Sequence, residues 1–159
     1  MDLKSQTVCF TGHREIRHEN CEKILYSTIE NLITKGYRFF GAGGARGFDS
    51  LAAKTVLTLK ETYPHIHLIL VLPFDHQYTA ETGWSREEVE AYEKYKQLAS
   101  KVVILENGYS RGVYYRRNEH LVNFSSVCIS YQYKNTGGTA YTTNYANKKG
   151  LQIINIANK

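Results

Sequence analysis

Val8-Cys9-Phe10-Thr11-Gly12-His13-Arg14 is the stretch that decides the fold. A short apolar run stops at a small residue, a glycine and two potential cations, and an amphipathic segment follows. A first β-strand has this form when its C-terminal end is delivered to a ligand. Two further junctions of the same kind lie downstream, Gly41-Ala42-Gly43-Gly44-Ala45-Arg46-Gly47 and Asn135-Thr136-Gly137-Gly138-Thr139. Together they predict an anionic ligand, a nucleotide by chemical class, along one edge of a sheet.

Working outward, six β-rich runs recur, at residues 8–11, 38–41, 68–72, 102–105, 127–131 and 152–156. The third, fourth and fifth are nearly continuous apolar stretches, which predicts strands covered on both faces. Helical spacing fills the intervals. Leu25, Ile29, Leu32 and Ile33 share one face, as do Ala52, Val56, Leu59 and Tyr63. Val89, Tyr92 and Ala99 form a weaker stripe. A short helix is expected over 118–124, and a last one over 139–149, stopped by Gly150. Such alternation predicts an α/β fold: a mostly parallel sheet with helices on both faces and right-handed crossovers. Residues 74–86 form the longest loop, a candidate lid or rim containing Trp84.

At 159 residues the chain is read as a single domain, 1–159. Hydrophobic content of 42% and charged content of 22% fit a globular protein. No apolar run is long enough to span a bilayer, and Met1-Asp2-Leu3-Lys4 carries no signal-peptide pattern. The three cysteines, Cys9, Cys21 and Cys128, are far apart, so a reducing, cytoplasmic setting is expected. The formal charge of +5 favours anionic partners, but the basic residues are dispersed. His65 and His67 lack a third ligand, and no Cys/His cluster exists, so neither a metal nor another cofactor is expected.

Each junction carries two readings. At the first, Thr11, Gly12 and His13 contact a phosphate or ribose and Arg14 pairs with phosphate; otherwise it is a tight turn with a solvated arginine. At the second, Gly43 and Gly44 bring the backbone close to a ligand and Arg46 adds charge, without the Lys-Ser/Thr of a Walker loop. Asp49 is either a helix N-cap or a ribose ligand. At the third, Gly137, Gly138 and Thr139 open a helix whose free amides cradle phosphate. Arg116, Arg117 and Asn118 precede a helix, with one arginine facing the cleft and the other facing solvent. The acid candidates are Asp49, Asp75, Glu87, Glu88 and Glu119.

Thr11-Gly12-His13-Arg14, Ala42-Gly43-Gly44-Ala45-Arg46-Gly47-Phe48-Asp49, Pro73-Phe74, Trp84, Arg117-Asn118 and Gly137-Gly138-Thr139 resemble, in order and over nearly the whole chain, the SLOG superfamily. The nearest branch is the YpsA-like one. More distant members are the lonely-guy (LOG) phosphoribohydrolases and the Smf/DprA DNA-processing proteins. The resemblance implies a Rossmann-like three-layer sandwich that binds nucleotides or nucleotide-derived ligands. It also implies a homodimer or higher homo-oligomer. The lonely-guy motif is Pro-Gly-Gly-x-Gly-Thr-x-x-Glu with an upstream arginine. Gly137 and Gly138 match its paired glycines, and Arg117 (or Arg116) matches the arginine. Ala140 and Tyr141 replace its glycine and threonine, and no carboxylate occurs from Asn135 to Lys159. Glycosidic cleavage builds positive charge that a carboxylate stabilises. The binding half of the motif is therefore present, and the catalytic half is missing unless Asp49 or a loop carboxylate replaces it.

Three functions follow as expectations. The first is binding of a nucleotide or nucleotide-derived ligand at the C-terminal edge of the sheet, as a sensor. The second is N-glycosidic hydrolysis of nucleoside monophosphates, with Arg117 and Asp49 as catalytic residues. The third is single-stranded DNA binding.

Overall fold

Strands and helices alternate along the computed structural model, which describes residues 2–158. The strands are β1 (Thr7–Gly12), β2 (Phe39–Ala42), β3 (His67–Phe74), β4 (Lys101–Glu106), β5 (Val127–Tyr131) and β6 (Gln152–Asn155). The helices are α1 (Cys21–Thr34), α2 (Phe48–Thr62), α3 (Arg86–Leu98), α4 (Val113–Asn123) and α5 (Gly138–Lys148). Short 3-10 turns occupy Leu3–Gln6, Gln77–Ala80 and Ile156–Asn158. All six strands form one sheet in the order β4-β3-β2-β1-β5-β6. Every pairing is parallel. This is the Rossmann-like α/β arrangement that the alternation predicts.

The two-residue period of the strands divides the core between the faces. Val8, Phe10, Phe40, Leu68, Leu70, Leu72, Val127, Ile129 and Tyr131 belong to the cluster that includes α1, α2 and Tyr92 of α3. Cys9, Val71 and Cys128 belong to the opposite cluster, with Leu121 and Val122 of α4 and Ala146 of α5. Each fully buried aliphatic side chain contributes about 1.5–3 kcal/mol, so both layers are held firmly.

Two expectations need correction. The fourth run is not covered on both faces: β4 pairs only with β3, at the sheet edge, and Ile104 is 47% exposed. An apolar run alone does not distinguish an edge strand from a central one. The fourth helix begins at Val113, not at residue 118, so Arg116, Arg117 and Asn118 lie within it. Its buried stripe is Val113, Arg117 and Leu121, at i, i+4 and i+8, with a charge in the middle. That charge hides the helical period.

Strand order reverses at β1, which pairs with β2 on one side and β5 on the other. The crevice at this switch point, beyond the carboxyl ends of β1 and β5, is where open α/β sheets bind ligands. Among the described residues, no helix is long and apolar enough to cross a membrane. The three cysteines are free and buried.

Candidate functional site

A cleft of about 310 Å³ opens at the switch point. Thr11, Gly12, His13, Arg14, Arg46, Asp49, Arg117, Asn118, Gly138 and Thr139 all line it. Ten of the thirteen residues proposed from sequence thus converge from four separate segments. Gly43, Gly44 and Gly137 lie outside its lining.

The second junction forms the floor. Gly47 precedes α2 with φ 75°, and a Cβ there would stand 2.1 Å from the Arg14 carbonyl. Only glycine fits. The first amide of α2, on Phe48, donates to the His13 carbonyl at 3.2 Å. The first two junctions are therefore locked to each other, and this helix start is partly satisfied from within the chain. Asp49 sits one residue into α2, not at its cap, and is 7% exposed. Its Oδ2 accepts from the Ala45 amide at 3.4 Å.

Arg117 is 5% exposed. It donates to the Gly43 carbonyl, and its Nε donates to Asn118 Oδ1 at 2.7 Å. Gln77, buried beneath the same loop, also donates to the Gly43 carbonyl, at 3.3 Å. The 43–45 loop is thus suspended by its amide on Asp49 and by its carbonyl on Arg117. Burial raises the Asp49 carboxyl above its ordinary value, against the pull of Arg117 and the loop amides. Burial likewise lowers Arg117, against the pull of Asp49. Desolvation outweighs attraction for both, as expected of buried opposite charges. Arg116 points the other way, pairing with Glu106 at 2.7 Å on the surface.

The glycines divide by role. A Cβ at Gly12 would stand 2.4 Å from Phe48, and one at Gly43 would stand 2.8 Å from Arg117. At Gly44, with φ 74°, it would stand 2.6 Å from Leu72. These positions are small because the protein itself packs there. Gly137 and Gly138 have no atom within 4 Å of a Cβ. Gly137 takes φ 92°, and no side chain caps α5. The Tyr141 amide bonds the Gly137 carbonyl at 3.0 Å, so the amides of Gly138, Thr139 and Ala140 precede the helical ladder.

His13 props this third junction. Its Nε2 accepts from the amides of Tyr133 and Lys134 at 3.1 and 3.2 Å, fixing the loop that leads to Gly137. Burial first, then the charges of Lys134 and Arg17, hold its pKa below the ordinary value. Arg14 reaches the mouth with its side chain 63% exposed, 4.0 Å from Glu81. Arg46 is held by Glu88 at 3.2 Å and lies over Trp84. Glu88 also completes the capping box of α3 with Ser85, which fixes it in place.

The loop over residues 74–86 does form a rim, through Gln77, Glu81 and Trp84. The sequence marked Gln77 and Glu81 only as members of the 74–86 rim and did not mark Tyr114 at all. Glu81 accepts from Trp84 Nε1 at 3.0 Å. Burial first, then the charge of Glu81, pushes the Tyr114 hydroxyl up to about 12. Tyr114 lies outside every glycine junction and outside that loop, which left no local signal for it. Glu81 is the hydrogen-bonding neighbour of the Tyr114 hydroxyl, and Arg46 Nη1 is buried without a partner among the described residues.

Residues 3–156 match the model of the YspA SLOG family. A UPF0398 protein of Halalkalibacterium halodurans is 30% identical over 144 residues, spanning 89% of this chain and 74% of that protein. A UPF0398 protein of Shouchella clausii is 40% identical over 73 residues, 43% of this chain and 37% of its own. The fold is similar to that of DNA processing protein A from Streptococcus pneumoniae, with TM-score 0.68 at 15% identity over 95% of this chain. The chain spans half the length of that protein. DNA processing protein A from Helicobacter pylori, which binds single-stranded DNA, gives TM-score 0.66 at 16% identity, over 95% of this chain and 65% of that one. The chain belongs to the YspA SLOG family.

Proposed function

We propose that the cleft binds a nucleotide or nucleotide-derived ligand through its phosphate, as a sensor. One observation carries this reading: the uncapped start of α5 opens at Gly138 onto the same cleft that Arg14 borders. Helix amides and the positive dipole end favour a phosphate. Arg14, exposed at the mouth, adds charge at little desolvation cost. Thr11 and Asn118 offer polar groups to the sugar. Arg117 and Asp49 act from below, holding the 43–45 loop that shapes the floor.

Thermal shift with AMP, ADP, ADP-ribose, NAD and cyclic nucleotides tests the reading. A ligand at about 100 Kd stabilises the fold by about 2.7 kcal/mol. At about 2–4 °C per kcal/mol for a chain of this size, the melting point rises by about 5–11 °C. Gly138→Val has room for its side chain and blocks the helix start, so it keeps the fold and loses the shift. A panel that produces no shift, or a variant that retains it, refutes the assignment. Free base released in the same wells assigns hydrolysis instead, with Asp49 and Glu81 as the carboxylates lining the cleft.

Single-stranded DNA binding is the second reading. The resemblance in fold to the Helicobacter pylori protein favours it, as does an exposed aromatic pair, Tyr115 and Tyr141, with ring centroids 4.6 Å apart. Bases stack on such rings. Affinity for an oligonucleotide that falls steeply with salt, and falls again in Tyr115→Ala, supports this alternative.

A further inference from the structure

Two carboxylates line the cleft, and the fold treats them differently. Asp49 is buried in the floor, where it takes the loop amides of Gly43 and Ala45 and faces the charge of Arg117. It is occupied by the protein itself. Glu81 stands in the rim with its side chain 30% exposed. The only cation paired with it among the described residues is Arg14, at 4.0 Å. An accessible negative charge in a cleft for phosphate needs a reason, because it repels an anion and works against binding.

The rim holds that carboxylate firmly. Trp84 Nε1 donates to Glu81 Oε2 at 3.0 Å, and the hydroxyl of Tyr114, at the start of α4, is its neighbour. Glu81 follows the 3-10 turn over Gln77–Ala80, which Gln77 ties to the Gly43 carbonyl at 3.3 Å. An ionised carboxylate is acceptor-only, with room for about four hydrogen bonds, so whatever meets its exposed part must donate. A nucleotide carries donors in two places, the adjacent 2′ and 3′ hydroxyls of ribose and the amines of some bases. The hydroxyl pair lies on the sugar that bears the phosphate, and neighbouring hydroxyls match the paired oxygens of a carboxylate. The cleft, at about 310 Å³, is at the lower end of small-molecule sites, which favours groups close to the phosphate over the more distant base. Carboxylates hold ribose hydroxyls in this way in other Rossmann-like sites.

We infer that Glu81 is the sugar-reading residue of the cleft: it accepts from the vicinal hydroxyls of the ribose whose phosphate sits at the start of α5, and so selects ribonucleotides over deoxyribonucleotides. The inference rests on the nucleotide reading of the cleft and adds the sugar class and the residue that sets it. Inside a DNA strand neither hydroxyl is free, so the same carboxylate works against DNA in this cleft. Trp84 acts as a positioning residue, through the indole N–H that holds Glu81 Oε2.

Isothermal titration calorimetry of the full chain tests it, with AMP, GMP, CMP and UMP, their 2′-deoxy and 3′-deoxy counterparts, and inorganic phosphate. Each deoxy form of a nucleotide that binds is expected to bind about tenfold more weakly than the ribo form. Glu81→Gln keeps the shape and an acceptor for Trp84. It should weaken the ribonucleotide, tighten inorganic phosphate, and bring ribo and deoxy forms to within about twofold of each other. Trp84→Phe should lower the same ratio and leave inorganic phosphate bound. Equal affinity for ribo and deoxy forms in the wild type overturns the inference and leaves the cleft reading standing. So does a ratio that survives Glu81→Gln, and so does a preference among bases, not sugars, that this substitution removes. A sugar preference that is lost in Glu81→Gln but kept in Gly138→Val upholds Glu81 and overturns the phosphate site. Failure of every nucleotide to bind overturns both.

Discussion

Replacing Arg117 with methionine keeps the stem that packs between Val113 and Leu121 on α4 and removes only the guanidinium. Two consequences follow. The Gly43 carbonyl loses its charged donor and keeps only Gln77. Asp49, 7% exposed, loses the opposite charge that offsets its burial. Arg117 and Asp49 make no ion pair within 4 Å, so the cost of about 3–5 kcal/mol for breaking a buried pair is the upper bound. At about 2–4 °C per kcal/mol, the melting point falls by at most about 20 °C. Asp49→Asn removes the stranded charge. In that background the same substitution should cost only about 1–2 kcal/mol, for the neutralised hydrogen bonds. The difference is a coupling energy that a double-mutant cycle reads directly. The pH dependence has a definite sign. Burial holds the Asp49 carboxyl above its ordinary value, so protonation favours the fold. That contribution is complete below about pH 4 and is lost as pH rises through the folded-state value. Without Arg117 the folded-state value climbs further, so the deficit of the variant shrinks on going from pH 7.5 to pH 5. Urea unfolding followed by Trp84 fluorescence measures every corner of the cycle. A loss under about 1 kcal/mol, or a loss with neither coupling nor pH dependence, refutes this account of Arg117 and Asp49.

Three further outcomes are expected. Gly12→Ala drives a methyl into the Phe48 ring and should cost about 1–3 kcal/mol in urea unfolding, whereas Gly138→Ala, which meets nothing, should change stability little; equal effects contradict the division of the glycines. His13 accepts two amides through Nε2, and its pKa is lowered, so its contribution is present above about pH 6.5 and lost as pH falls through the folded-state value. His13→Gln supplies an acceptor that does not titrate; its urea midpoint should vary less between pH 7.5 and 5 than the wild type does, and parallel curves sink the idea. Arg14→Ala should leave the melting point within about 2 °C, because its only ion pair among the described residues is a 4.0 Å surface contact, while weakening nucleotide binding; an unchanged affinity removes Arg14 from the site.

The layered fold was legible because its periods are strong. Apolar runs ending at glycine, separated by stripes such as Leu25, Ile29, Leu32 and Ile33, permit little except parallel strands with helical crossovers. Two features escaped for physical reasons. β4 is as apolar as a central strand, and only its partner count sets it at the edge. α4 buries Arg117 where a helical stripe ordinarily carries an apolar residue, so the pattern breaks at the residue that matters most to the floor of the cleft. A buried charge disguises a helix in the sequence because the compensating groups, Asp49 and the Gly43 carbonyl, come from another part of the chain.

The same reasoning explains why the glycine junctions gather around one cleft yet do different work there. All three junctions mark places where backbone must come close to something, and sequence does not say to what. At Gly12, Gly43 and Gly47 the neighbours are Phe48, Arg117 and Arg14 of this chain itself. At Gly137 and Gly138 the neighbouring space is open and the helix start is uncapped. Close packing at the first two junctions fixes the positions of Thr11, His13 and Arg14 relative to the third. His13 then ties the end of β1 to the loop before α5. On the proposed reading, a ligand held at the α5 amides would meet a preorganised wall that the rigid glycines hold in place. Replacing a rigid glycine should therefore lower stability and affinity together, whereas replacing an open one should lower affinity alone.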